Sequence, residues 1–279
     1  MSIPNPVIIL TGGSRGTGLA IATHLLTTTS AHVLAISRST PLTLQHLQLT
    51  YPDTFRHLPA DLSNSTTAPQ AIATAINTWG RIDSLIINHG VLDPVAKIAD
   101  ANVEEWERAF RTNFFAAVRL ISAALPSLRG RGGGGRVVFV SSGAAVTGYQ
   151  GWGAYGASKA ALNHLCVTLA AEEAGVIAVA VRPGVIDTQM QEDIREKHSE
   201  GMGASHERFR KLKEEGKLLR PEQPGNVIAR LALEAERNLT GKFLKYNTIT
   251  IVYDVTNESQ LERRAIGQIS RQNTPIDID

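Results

Sequence analysis

The chain has 279 residues, 43% of them hydrophobic and 19% charged, with a formal net charge of +2, a profile that suits one large α/β domain with a substantial core. So small a charge, with no basic stripe interleaved with aromatics, argues against nucleic acid and for a small-molecule partner. The opening Met1-Ser2-Ile3-Pro4-Asn5-Pro6 has no basic region or long apolar run, and no apolar run reaches the about 18 residues of a membrane span; the lone Cys166 allows neither an internal disulfide nor a thiolate metal cluster. A reducing, cytoplasmic setting is expected, without membrane or metal.

The apolar Val7-Ile8-Ile9-Leu10 predicts a buried strand. It breaks into Thr11-Gly12-Gly13-Ser14-Arg15-Gly16-Thr17-Gly18 and restarts as a helix from Leu19 to Leu26. Such a turn aims backbone N–H groups at an anion, and the helix start adds about half a positive charge. Gly12 allows the tight turn, Gly16 lets a pyrophosphate approach the backbone, and Gly18 lets the helix lie close on its strand. A dinucleotide is the predicted ligand.

Downstream, His32 to Ser37 reads as a strand, followed by a helix near 41–50, a short strand into Leu58-Pro59-Ala60-Asp61, a helix around 66–79 and the strand from Ile82 to Asn88. A long helical region from about 102 to 129 leads to the strand Arg136–Ser141, a helix over about 153–174 and the strand Val176–Val181. Strands that are continuous apolar runs suit a parallel sheet covered on both faces. The expectation is a three-layer, doubly wound α/β fold of the Rossmann type in a single domain, with chemistry at the carboxyl ends of the strands. The glycine-rich Arg129–Gly135 precedes a strand and opens no helix, so it reads as a surface connection without function. The polar stretch of about 187–219 reads as helical pieces with breakers. Its length suits a mobile lid over a site, and a solvated surface excursion fits as well.

Tyr155 and Lys159 stand four apart at the start of a helix and share a face. A free phenol, with a pKa near ~10, transfers protons poorly at neutral pH unless a cation stabilises the phenolate; Lys159 is spaced to do so. Ser142, thirteen residues before Tyr155, follows the end of a strand, where its hydroxyl can hold a carbonyl oxygen.

This set resembles the short-chain dehydrogenase/reductase family, over residues 7 to about 246. The family has the Thr-Gly-x-x-x-Gly-x-Gly turn, a Tyr-x-x-x-Lys pair with a Ser thirteen residues earlier, an Asn in the preceding helix, an Asn-Ala-Gly-like turn and a Pro-Gly after the sixth strand. Here stand Asn113, Asn88-His89-Gly90 and Pro183-Gly184. The resemblance implies that Tyr155 exchanges a proton with the substrate oxygen and Ser142 polarises the carbonyl. It implies that Lys159 lowers the tyrosine pKa and reaches the nicotinamide ribose, and that Asn113 holds a water linking Lys159 to solvent. It further implies that Ser14 and Thr17 belong to the phosphate turn, that Val185 and Thr188 of the Pro183–Thr188 segment meet the carboxamide, that Asn88 and Gly90 border the adenosine ribose, and that Asp61 and Leu62 meet the adenine edge.

An NAD enzyme usually carries an acid after the second strand. This chain has Ser37-Arg38 there, with Arg15 in the glycine loop, and two guanidinium groups match a 2′-phosphate; NADP(H) is the expected cofactor. Val91-Leu92-Asp93-Pro94-Val95, Gly151-Trp152-Gly153-Ala154-Tyr155 and Gly184–Gln191 are similar to the fungal benzil reductases, which implies reduction of one carbonyl of an aromatic α-diketone. Tyr149 and Trp152 either face such a substrate or pack in the core.

Three departures stand out. His89 replaces the family's Ala, where a histidine crowds the ribose or donates to it; Thr17 replaces a common apolar residue. The tail 247–279 is an extension in which Ile249–Tyr253 is a candidate strand. Alternatives to an NADPH-dependent carbonyl reductase are an enzyme working in the direction of alcohol oxidation and a catalytically idle NADP-binding sensor or scaffold. Family resemblance also implies a homodimer or homotetramer formed through the helices 102–129 and 153–174, the second offering Ala157, Ala161, Leu165 and Thr168 on one face.

Overall fold

A computed structural model describes residues 5–130 and 134–248. The strands β1 (Val7–Thr11), β2 (His32–Ser37), β3 (Phe55–Pro59), β4 (Ser84–Ile87), β5 (Gly135–Val140), β6 (Val176–Arg182) and β7 (Lys242–Lys245) form one sheet in the order β3-β2-β1-β4-β5-β6-β7. Every pairing is parallel. The chain winds outward from β1 in one direction to β3 and then in the other to β7. Between β1 and β4 lies the switch point at which such sheets bind ligands.

The helices α1 (Gly16–Thr28), α2 (Leu42–Thr50) and α10 (Glu222–Glu234) cover one face, where Ile21, Leu25, Leu44 and Ile228 pack on Ile8, Leu10, Val33 and Val179. The helices α3 (Thr67–Trp79), α5 (Ala116–Arg129) and α6 (Gly153–Glu172) cover the other, packing Ala71, Leu120 and Leu162 on Ile9, Leu34, Leu85 and Phe139. Alternate residues of each strand thus serve opposite layers, and both are apolar because neither layer admits water. Each fully buried Ile, Leu or Phe contributes about 1.5–3 kcal/mol relative to exposure.

The predicted long helix of 102–129 is interrupted. It consists of α4 (Val103–Phe110), a π-turn over Arg111–Phe115 and then α5. A π-turn inserts an extra residue into the helical register, and Asn113, at its centre, is fully buried. The helix α10 has no counterpart among the predicted elements. Its Gly225 lies against α1, where a Cβ would come 3.2 Å from that of Ala20. The excursion after β6 is helical: α7 (Gln189–Lys197), α8 (Ser199–Met202) and α9 (Ala204–Glu214). The centre of the glycine-rich connection, 131–133, and the candidate strand Ile249–Tyr253 lie outside the described residues, as does the rest of the tail beyond Thr248.

Candidate active site

The carboxyl ends of β1, β4, β5 and β6 bring the predicted site residues together. At the end of β1 the chain turns through Gly12, whose φ of +72° few side-chain-bearing residues adopt, and enters α1. A Cβ on Gly18 would collide with the Gly12 carbonyl and come 2.7 Å from Asn88 Nδ2. Asn88, just after β4, pins this turn: its Nδ2 donates to the carbonyls of Thr11 (3.1 Å) and Gly12 (3.2 Å), and its N–H donates to Thr11 Oγ1 (2.9 Å). No side chain caps the start of α1, and its first turn holds no acid. Across from it stands Thr188, whose methyl would lie 3.1 Å from a Cβ on Gly16. An uncapped helix start with glycine at the point of approach fits a pyrophosphate.

At the end of β2, Ser37 is buried, and its Oγ donates to Ser39 O (3.0 Å) and meets His57 Nε2 (2.8 Å). The other His57 nitrogen meets Thr40 Oγ1 (3.3 Å). Burial lowers the His57 pKa, with the Ser37 contact opposing. His57 was not among the predicted residues, because only the β2–β3 pairing brings it beside Ser37. Asp61 accepts from the Ser63 N–H (2.8 Å), which chiefly holds its carboxyl below the usual range, and the positive charge of Arg38 adds to this. Arg15 faces the lid side, where its charge lowers the pKa of Asp193 on α7.

Ser142 follows β5 and caps a short turn by accepting from Ala144 N–H (3.1 Å). Burial is the dominant effect on Tyr155 and raises the phenol pKa, and the neighbouring Ser142 side chain opposes that rise. Lys159 Nζ donates to Val140 O (2.9 Å) and lies 5.8 Å from the centre of the Tyr155 ring. Burial lowers Lys159 to about 8.

Asn113 is a brace. Its Oδ1 accepts from Val91 N–H (2.8 Å), and its Nδ2 donates to Val91 O (2.9 Å) and Ser158 Oγ (3.0 Å). Both amide protons are thus used. Gly90, expected beside the adenosine ribose, faces Lys159 on the side a Cβ would take, 3.3 Å from Nζ and 3.5 Å from Asn113 Oδ1. Both ring nitrogens of His89 are engaged within the protein. The residue is buried, with Nδ1 on Thr11 Oγ1 (2.8 Å) and Nε2 on Thr112 O (2.8 Å), joining β1 to the π-turn. A carbonyl only accepts, so Nε2 carries the proton. Burial, helped by the nearby charge of Lys159, lowers the His89 pKa to about 4, so the ring is neutral at physiological pH.

After β6, Pro183–Thr188 runs beside the site. Val185 O accepts from Leu219 N–H (2.9 Å) and Asp187 N–H donates to Leu219 O (2.8 Å), which ties off the excursion at its root. The excursion packs back through Ile194, Met202 and Phe209, which join Leu92, Ala144, Trp152 and Tyr155 in a third apolar cluster. Phe209 stacks on Trp152 (5.1 Å, 29°), and Tyr149 lies 4.9 Å from Trp152. Tyr149 and Trp152 thus belong to the walls of the substrate end. Ser14 lies in the turn after β1, Thr17 is buried in the first turn of α1, and Leu62 follows β3.

A tyrosine, a serine hydroxyl and a buried lysine converging beside a dinucleotide turn can exchange a proton with a substrate oxygen next to a nicotinamide. Comparison with known proteins agrees. A family model described as short chain dehydrogenase matches residues 6–199. An uncharacterized oxidoreductase of Schizosaccharomyces pombe is 44% identical over 244 residues, covering 87% of this chain and 96% of the relative. A benzil reductase ((S)-benzoin forming) of Saccharomyces cerevisiae is 39% identical over 251 residues, covering 86% and 95%. The crystal structure of a short chain dehydrogenase/reductase from Saccharomyces cerevisiae superposes with a TM-score of 0.83 at 40% identity, covering 87% of this chain and 96% of that one. The chain therefore belongs to the short-chain dehydrogenase/reductase family and is an oxidoreductase of that type.

Proposed function

We propose that this protein is an NADPH-dependent carbonyl reductase acting on a ketone or an aromatic α-diketone such as benzil. The observation that carries the reading is the convergence of Ser142, Tyr155 and Lys159 at the ends of β5 and α6, with Lys159 Nζ 5.8 Å from the centre of the Tyr155 ring and Ser142 near enough to its hydroxyl to oppose the rise in its pKa. The benzil reductase of Saccharomyces cerevisiae, similar over most of both chains, supports the diketone. When bound, the nicotinamide supplies the hydride. Ser142 holds the carbonyl oxygen, and Tyr155 gives it a proton from its hydroxyl. Burial raises the Tyr155 pKa, which keeps the phenol protonated and ready to donate. Gly90 leaves the space beside Lys159 Nζ and Asn113 Oδ1 without a side chain, which supports a route by which Lys159 returns the proton to the tyrosine from solvent.

NADP(H) is favoured over NAD(H) by charge. Arg15 stands in the turn after β1 and Arg38 directly after β2, which ends on Ser37 and not on an acid, and His57 meets that serine. The helices α7 to α9 serve as the substrate lid. We also infer a homodimer or homotetramer built on α4, α5 and α6: Val103, Phe115 and Val167 are exposed, as is Ala157, and Ala161, Leu165 and Thr168 are half-buried. Residence in the cytoplasm is supported by a 40% identical Saccharomyces cerevisiae protein described as cytoplasmic. Among the described residues, no helix is long and apolar enough to cross a membrane.

The test is oxidation of NADPH, with NADH in parallel, against diketones, quinones, pterins and simple ketones. Tyr155→Phe should lower turnover by about 10²–10⁴-fold while NADPH binding stays near wild type. Equal turnover in that variant would remove Tyr155 from the mechanism. NADPH binding without turnover of any carbonyl would favour the sensor reading.

A further inference from the structure

In the aromatic cluster beneath the helices α7 to α9, the Tyr149 hydroxyl accepts from Arg208 Nη1 (3.2 Å). The indole Nε1 of Trp152 is buried and makes no hydrogen bond, in a residue only 7% exposed. Its ring stands edge-on to Tyr155 (5.7 Å, 85°) and is closed in by Phe209 and Tyr149. Buried N–H groups in native proteins are almost always bonded, and an indole N–H can only donate. Such an atom, on a ring in contact with that of Tyr155, calls for an acceptor that arrives with the substrate.

Building on the carbonyl-reductase reading, we propose that Trp152 Nε1 donates to the second carbonyl oxygen of a vicinal dicarbonyl whose first oxygen lies on Ser142 and Tyr155. The two oxygens of such a substrate sit on adjacent carbons, which matches the ring-to-ring contact of Trp152 with Tyr155. Trp152 is then the residue that selects diketones over simple ketones. A monoketone leaves the indole unsatisfied, and a site built to bond a polar group discriminates against the analogue that lacks it. Two further buried unbonded side-chain atoms, Gln191 Oε1 and Arg195 Nη1, lie on the same helix as Ile194, and of these only Gln191 Oε1 is an acceptor. Were Gln191 the true acceptor, the indole would not distinguish one substrate from the other.

The experiment uses the full chain with NADPH and two ketones: benzil, and the same molecule with one carbonyl replaced by a methylene. Trp152→Phe keeps an aromatic ring and deletes the donor. The expected result is a fall in kcat/KM for benzil about tenfold greater than for the monoketone. Equal loss on both, or loss on neither, overturns the proposal. A second measurement needs no variant at position 152. The chain has three tryptophans, so its indole N–H signals are few enough to follow by NMR with NADP⁺ and either ketone, with Trp79→Phe and Trp106→Phe for assignment. Benzil should move the Trp152 proton downfield and the monoketone should not; no movement with benzil overturns the proposal. If the wild-type chain reduces neither ketone, the carbonyl-reductase reading fails, and the spectrum alone decides whether Trp152 binds the dicarbonyl.

Discussion

The sheet and the lid are both closed by apolar side chains, but in different ways. The sheet layers are mostly aliphatic, fully buried, and held from both faces by strands and long helices, as at Leu85 and Leu34. The lid cluster is small and aromatic, and rests on one face of charged helices. α9 buries only Phe209 and His206, while its exposed side carries Arg210, Lys211 and Glu214. The nucleotide end is therefore built from backbone that the whole core holds in place, and the substrate end hangs on a few rings. Segments with few buried contacts open at lower free energy than the core, so substrate recognition can change without disturbing the dinucleotide turn.

The sharpest way to break this comparison is to make one deletion in each region. Phe139→Ala should cost about 3–5 kcal/mol in denaturant unfolding. Phe209→Ala removes the same side chain from a nearly equally buried site, yet should cost clearly less in global stability and instead raise KM for an aromatic ketone. Equal losses of stability would mean that the lid folds as one unit with the sheet.

His89 tests the junction of the dinucleotide turn and the catalytic π-turn. Its pKa is about 4 in the folded protein against an ordinary 6.5, so the unfolded chain binds the proton first as pH falls. The resulting stability is present above pH 6.5 and is lost as pH falls through about 4. It amounts to about 3 kcal/mol at full extent. In His89→Gln the stability curve between pH 6.5 and 4 should be flatter than wild type by about that amount; parallel curves would show that the buried ring is not what drives acid loss.

The smallest effect is expected at the lid's rim. Lys213 Nζ meets Asp187 Oδ2 at 2.7 Å, with both side chains nearly half exposed. Asp187→Ala should change stability by only about 0.2–1 kcal/mol, and by less at high salt. A larger cost would move this pair from a screened surface contact to a latch of the lid.

The sequence by itself determined the doubly wound sheet, the glycine turn after β1 and the grouping of Ser142, Tyr155 and Lys159. These are legible because strand burial, glycine turns and the four-residue spacing on a helix are local in the chain. Tertiary structure decided what depends on distant partners. Asn113 is a brace because a π-turn aims it at Val91 and Ser158. His89 faces inward because Thr11 and Thr112, far apart in sequence, meet at its two nitrogens. His57 reaches Ser37 only through the β2–β3 pairing. Whether Trp152 is wall or core could not be read from the loop that carries it; the return of Phe209 from α9 encloses its ring and leaves its N–H without a partner. A residue's type and spacing state what it is able to do, while the atoms that share its burial decide which of those things it does.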